Sequence, residues 1–163
     1  MIGADNQQER PNNSWVCGFV DGEGCFHVAI NKMPKMRLGW QVLPEFRVVQ
    51  HRCDIRVLRL LREVFGCGSI VKNHGDRLEL RVRGHNNLCK IVLFFTQNRL
   101  HSKKRYDFEL FAQVIALMSQ GSHLTQDGLE RIAQLASRMN RQKTRCLESP
   151  ETIRRTHNKS IVV

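Results

Sequence analysis

Residues Trp15 to Phe26 constrain this chain more than any other stretch: Trp-Val-Cys-Gly-Phe-Val-Asp-Gly-Glu-Gly-Cys-Phe. They read as a short apolar helix that stops at an acid set between two glycines, with a strand following at once. Asn12, Asn13 or Ser14 can cap the helix start, and Pro11 stands just outside it. Val16, Phe19 and Val20 recur at helical spacing and are expected to face a core. Gly18 and Gly22 are four apart, so they share one face that carries no side chains. A second backbone can approach such a face closely, and a similar helix is its natural partner, by the steric part of the small-xxx-small argument. Cys17 and Asp21 complete the expected helix–helix interface.

Glu23 sits where the helix ends, among carbonyls that lack internal partners and carry partial negative charge. Its carboxylate and the Gly22 carbonyl form an all-oxygen donor set. Such a set suits Mg²⁺, with Mn²⁺ as the alternative, better than zinc. The bland alternative is a glycine-rich turn with a solvated acid.

The remaining sequence supports an anionic partner. A net charge of +11 and a pI near 10.0 favour a polyanion. Nucleic acid fits better than membrane, because no apolar run approaches the ~20 residues of a span and no long basic helix carries an aromatic face. The N-terminal ten residues are polar and lack a signal-peptide core, so the expected setting is intracellular, either cytoplasmic or organelle-encoded, and not secreted. None of the six cysteines forms a CxxC, which argues against structural zinc. Cys17, Cys53 and Cys89 fall on apolar helical faces and are expected to be buried thiols.

Along the chain the periodicity switches repeatedly. From Cys25 to Asn31, and again from Trp40 to Gln50, apolar residues alternate with others, as in strands. Pro44 implies a bulge or an edge position in the second strand. Asp54 to Phe65 has a helical apolar stripe, ended by Gly66-Cys67-Gly68. Ser69–Asn73 and Arg77–Arg83 read as a hairpin around His74-Gly75-Asp76. Helices follow over Asn86–Gln97, Lys103–Met118 and, capped by Thr125, to about Asn140. Residues 1–155 are expected to form one domain and 156–163 a loose tail.

Two hairpins with one apolar face make a half-buried sheet that helices cover. The other face is expected to carry His27, Asn31, Gln41, Glu45, Arg47, Arg77, Glu79, Arg81 and Arg83, plus Lys72 or Asn73, where the alternation falters. Arginine can bridge guanine O6 and N7, Gln and Asn can pair with adenine, and Glu can accept from cytosine. A two-stranded ribbon fits the major groove. A solvated sheet face with mixed charges is the competing reading.

The segment Val16-Cys17-Gly18-Phe19-Val20-Asp21-Gly22-Glu23-Gly24 resembles the signature of the LAGLIDADG homing endonucleases. Two later stretches fall in that family's order and spacing: Phe46-Arg47-Val48-Val49-Gln50-His51-Arg52-Cys53-Asp54 and Leu100-His101-Ser102-Lys103-Lys104-Arg105. The likeness covers roughly the whole chain and is weakest after Ser119. It implies an α+β fold, an αββαββα domain with a four-stranded antiparallel saddle sheet and C-terminal helices. It also implies a site-specific, intron-encoded DNA endonuclease that cuts both strands of a long pseudo-palindromic target and leaves short 3′ overhangs across the minor groove. By the same resemblance, Glu23 binds metal and Gln50 orders solvent near it. Lys103, with Lys104 as the fallback, approaches the scissile phosphate, and Lys143 and Arg145 lie in a loop that touches phosphates. Cutting two strands needs two acidic sites, and this chain offers one motif. A homodimer with its axis through the Gly18/Gly22 face is therefore expected. The rival readings are an RNA maturase of the same family, a relative that binds DNA without cutting, and a basic structural protein.

Overall fold

The computed structural model describes residues 11–140. The expected tail, and the loop with Lys143 and Arg145, lie outside the described residues. Nine main elements follow in order: α1 (Asn13–Glu23), β1 (Gly24–Lys32), β2 (Trp40–His51), α2 (Ile55–Phe65), β3 (Ser69–Lys72), β4 (Arg77–Val82), α3 (His85–Gln97), α4 (Lys104–Ser119) and α5 (Gln126–Arg138). The four strands form one antiparallel sheet in the order β1-β2-β4-β3.

Local chemistry sets the junctions. The Asn12 side chain caps α1 by accepting from the Trp15 N–H at 2.7 Å. Gly66 ends α2 in the left-handed region, at φ 61°. Thr125 caps α5 through its hydroxyl, which accepts from Gly128 N–H at 3.2 Å. The α1–β1 junction is tight. A Cβ on Gly24 would lie 2.5 Å from Val20 Cγ1 and 2.8 Å from the Val20 carbonyl oxygen. The carbonyl cannot rotate away, so a side chain at Gly24 must push the helix end off the sheet. Gly24→Ala is expected to destabilise the fold by about 1–3 kcal/mol, read as a lower urea midpoint at unchanged slope.

Pairing runs from Gly24↔Val48 to Lys32↔Trp40 between β1 and β2, without a bulge at Pro44. β2 pairs with β4 only from Phe46 to His51. Pro44 therefore sits where β2 has a neighbour on one side alone, an edge-like position that tolerates proline. Even-numbered residues of β1, β2 and β4 face the helices. Phe26 is the centre of that core, with ring centroids of Phe46, Phe95, Phe108 and Phe111 at 5.0–5.7 Å. This burial locks strand register, because a one-residue slip would turn Phe26 and Phe46 to solvent.

One expectation about the core needs correcting. Cys53 lies in a 3-10 turn ahead of α2 and is exposed, and Cys89 is half-buried; of the three thiols only Cys17 is buried. Phe19 is half-buried, packs against the core as expected, and also stacks on Trp15.

Candidate functional site

The end of α1 gathers several of the expected site residues. Glu23 closes the helix, is exposed, and makes no hydrogen bond or ion pair with a described residue. Gly22 precedes it in the last turn, whose carbonyls the helix leaves without internal partners. Gly24 is buried and pairs with Val48, so β2 runs on past the start of β1 alongside the end of α1. Gln50 is two residues beyond Val48, roughly 7 Å along the strand, and has the parity of the helix-covered face.

Asp21 ties this helix end to the loop before α4. Its carboxylate accepts from His101 N–H at 2.8 Å, Ser102 N–H at 3.1 Å and the Ser102 hydroxyl at 2.7 Å. Burial pushes the Asp21 carboxyl up, but the His101 and Ser102 donors outweigh it, and the pKa falls below the usual aspartate value. Asp21 therefore clamps this helix end within the chain. It fixes where α4 begins, and so where the two lysines stand. Lys103 is exposed, and its ammonium makes no hydrogen bond or ion pair with a described residue. The Lys104 ammonium donates to the Gly24 carbonyl, one residue beyond Glu23. Of the two lysines, Lys104 is the one whose ammonium reaches this end of α1. The signal was in the sequence: Lys104 is four residues before Phe108 and seven before Phe111, both core residues, so it shares their face.

The glycine face of α1 is open. A Cβ on Gly18 or Gly22 would meet nothing within 4 Å. Trp15 is 40% exposed and lies along the same face, its ring stacked on Phe19 at 5.2 Å. Both aromatics belong to this surface and were missed, although 15, 18, 19 and 22 have helical spacing. Cys17, expected at the interface, is instead 4% exposed, with its thiol donating to the Asn98 carbonyl at 3.4 Å. Burial, then the charge of Asp21, raises its pKa.

The helix-free face of the sheet carries odd-numbered residues. Register aligns Asn31 with Gln41, His27 with Glu45, Cys25 with Arg47, Arg47 with Arg81, and Val49 with Glu79. Two acids on this face are not open to a base edge. Glu45 is 7% exposed and Glu79 1%. Glu45 accepts from Arg83 at 2.6 and 2.8 Å and pairs with Arg47 at 3.5 Å. Glu79 accepts from Asn73 at 2.7 Å and from Arg81 Nε at 2.5 Å. Both acids act as brackets that hold arginine forks in place, and each arginine keeps further donors free. With Arg77 exposed, four arginines against two carboxylates leave a net charge of +2 on this face. Val71 aligns with Glu79 and Lys72 with Leu78. Asn73 thus joins the polar face, and Lys72, expected there as the alternative, has the opposite parity.

His27 is half-buried beside these charges. Burial, then the Arg47 cation, lowers its pKa, against a smaller opposing pull from Glu45. It is neutral at pH 7 and can both donate and accept. The folded pKa lies below the unfolded one, so this contribution to stability is complete above the unfolded value of about 6.5 and falls away as pH drops through the folded value. Thermal melts from pH 7 to 5 should therefore show a smaller loss of Tm in His27→Gln than in the parent.

Among the described residues no three His, Cys, Asp or Glu side chains form a metal cluster, and no helix is long and apolar enough to cross a membrane. What one chain offers a cation is Glu23 with helix-end carbonyls. These oxygens fit a hard divalent ion, but they complete its shell only with oxygens from elsewhere.

Comparison with known proteins bears on the fold and the family. The family model described as LAGLIDADG endonuclease matches residues 16–115. A probable intron-encoded endonuclease of Neurospora crassa is 31% identical over 131 residues, covering 78% of this chain and 25% of that protein. The crystal structure of the homing endonuclease I-TnaI superposes with a TM-score of 0.80 at 46% identity, covering 91% of this chain and 97% of that one. I-SmaMI, solved on an uncleaved DNA target with calcium ions, gives a TM-score of 0.80 at 36% identity, over 83% of this chain and 47% of its own. I-SmaMI is also solved on cleaved DNA and as a lysine-to-alanine mutant. The chain spans only about a quarter of the length of the first curated relatives it matches.

Proposed function

Because the chain belongs to the LAGLIDADG endonuclease family, we propose that it is an intron-encoded homing endonuclease that cuts both strands of a long DNA site as a homodimer. One observation carries this reading. The exposed Glu23 stands where an open glycine face of α1 meets the end of a basic four-stranded sheet. The 12 residues of β2 extend roughly 40 Å, close to one turn of B-DNA at ~34–36 Å. One sheet therefore serves one half-site, and two sheets serve a site of about two turns.

Glu23 and the Gly22 carbonyl would hold Mg²⁺ or Mn²⁺. When bound, such a cation supplies phosphate charge neutralisation and water activation. Lys104 brings positive charge to the same place, where negative charge grows on the phosphoryl oxygens. Gln50 offers an amide to orient the attacking water. Asp21 holds the Lys104 helix in register with α1. On the sheet face, Arg47, Arg77, Arg81 and Arg83 meet guanine edges or phosphates, while Asn31, Gln41, Asn73 and neutral His27 offer amide and imidazole contacts. Glu45 and Glu79 act through the arginines they hold. An intracellular setting goes with this reading.

The test is a plasmid that carries the uninterrupted host sequence, incubated with protein and Mg²⁺. Linear product with 3′ overhangs at one position is expected. Tight binding without cutting in Mg²⁺ or Mn²⁺ would instead favour the DNA-binding or maturase reading.

A further inference from the structure

Beside the glycine face lies a cleft of about 380 Å³ between α1 and the α3–α4 loop, bordered by Ser14, Gly18, Asn98, Arg99 and His101. On the other edge of the same face stands the exposed Trp15–Phe19 stack. The angular positions follow from about 100° per helical residue. Relative to the direction midway between Gly18 and Gly22, Trp15 and Phe19 lie about 40–80° to one side, and Ser14 and Asp21 about 60–80° to the other. One edge of the face is thus a knob and the other borders a hole.

We propose that Trp15 of each chain seats in this cleft of a second copy, so that paired knobs and holes set how the two α1 helices meet. The inference rests on the homodimer reading above. Both Glu23 side chains must reach the same end of the helix pair, so the helices run parallel and the two-fold axis lies along them. That axis turns the aromatic edge of one helix onto the Ser14 edge of the other, twice, as an isologous contact requires. Antiparallel helices would separate the two acids.

The chemistry of the cleft suits the occupant. Trp15 still has 40% of its surface open to burial, and the Arg99 guanidinium at the border can lie over its ring. The indole N–H would find acceptors in the Asn98 and Ser14 side chains. The cleft also continues the open glycine surface, so its occupant must lie against α1. I-SmaMI, of which this chain matches less than half, has room for a second unit of this size.

The chain holds two tryptophans, and Trp40 is only 6% exposed. A change in emission on dissociation therefore reports on Trp15, since Trp40 is shielded in both states. Dilution across the dimer dissociation range should shift emission to the red, and Trp15→Ala should raise the dimer Kd at least about 100-fold, as loss of a paired aromatic anchor does. Trp15→Phe should recover part of that loss, and circular dichroism should match the parent, because Trp15 is not a core residue. Gly18→Leu is the control, since it blocks the helix pair itself. If Gly18→Leu dissociates the dimer while Trp15→Ala leaves its Kd unchanged, or if emission is the same in dimer and monomer, the knob-and-hole contact is overturned and the dimer stands. A parent protein that stays monomeric at every concentration, with and without duplex, overturns the dimer as well.

Discussion

Glu23→Gln keeps duplex affinity within about threefold of the parent and lowers the single-turnover cleavage rate by at least ~10³-fold, roughly 4 kcal/mol of barrier. The substitution keeps shape and removes one charge. Glu23 is exposed and bonded to no described residue, so the fold does not depend on it. Neither do the arginine brackets, which lie on the sheet face around Glu45 and Glu79. What the charge serves is a hard cation and the phosphate beside it. Anisotropy with a labelled duplex and rapid-quench cleavage in Mg²⁺ separate the two quantities. A variant that cuts at the parent rate removes Glu23 from the mechanism. A variant that neither binds nor cuts, with an altered circular dichroism spectrum, assigns Glu23 a role in folding.

The second large effect separates two adjacent lysines. Lys104→Ala should slow cleavage about 10²–10³-fold, the cost of removing one aimed donor from a developing oxyanion, while Lys103→Ala costs less than about tenfold. Lys104 reaches the Gly24 carbonyl from the first turn of α4, and Asp21 fixes that turn through His101 and Ser102. Lys103 points to solvent. Placing a cation at a helix N-terminus opposes the helix dipole, so its presence there needs a gain elsewhere, and charge beside Glu23 supplies one. Equal effects of the two variants on cleavage, or a larger effect of Lys103→Ala, would contradict the assignment. A loss of stability in Lys104→Ala would appear in the urea midpoint and can be separated from the rate.

Much of this was legible because the chain obeys simple periods. Alternation from Cys25 to Asn31 and from Arg77 to Val82 specified both strands and their faces, since burial of Phe26 and Leu80 leaves no second register. The stop at Gly22-Glu23-Gly24 was legible because glycine and a lone acid leave few other roles. What failed depended on which side chains meet in three dimensions. Glu45 and Glu79 alternate as exposed residues should, yet each is buried by arginines brought from neighbouring strand positions. Asp21 sits on a helix that would fit a dimer, but its partners come from a loop 80 residues later. Lys72 and Asn73 were ambiguous because β3 is short and lies at the sheet edge, where burial constrains parity least.

The central claim is that two α1 helices meet through Gly18 and Gly22 and bring two Glu23 carboxylates to one axis. Crystals of the protein on its duplex, grown with Ca²⁺, measure it directly. Helices in contact lie about 8–10 Å apart, so the account predicts two Glu23 Cα atoms separated by about that distance, astride the central base pairs. A single chain on a duplex that is cut on both strands, or two Glu23 Cα atoms separated by several helix widths, would contradict it.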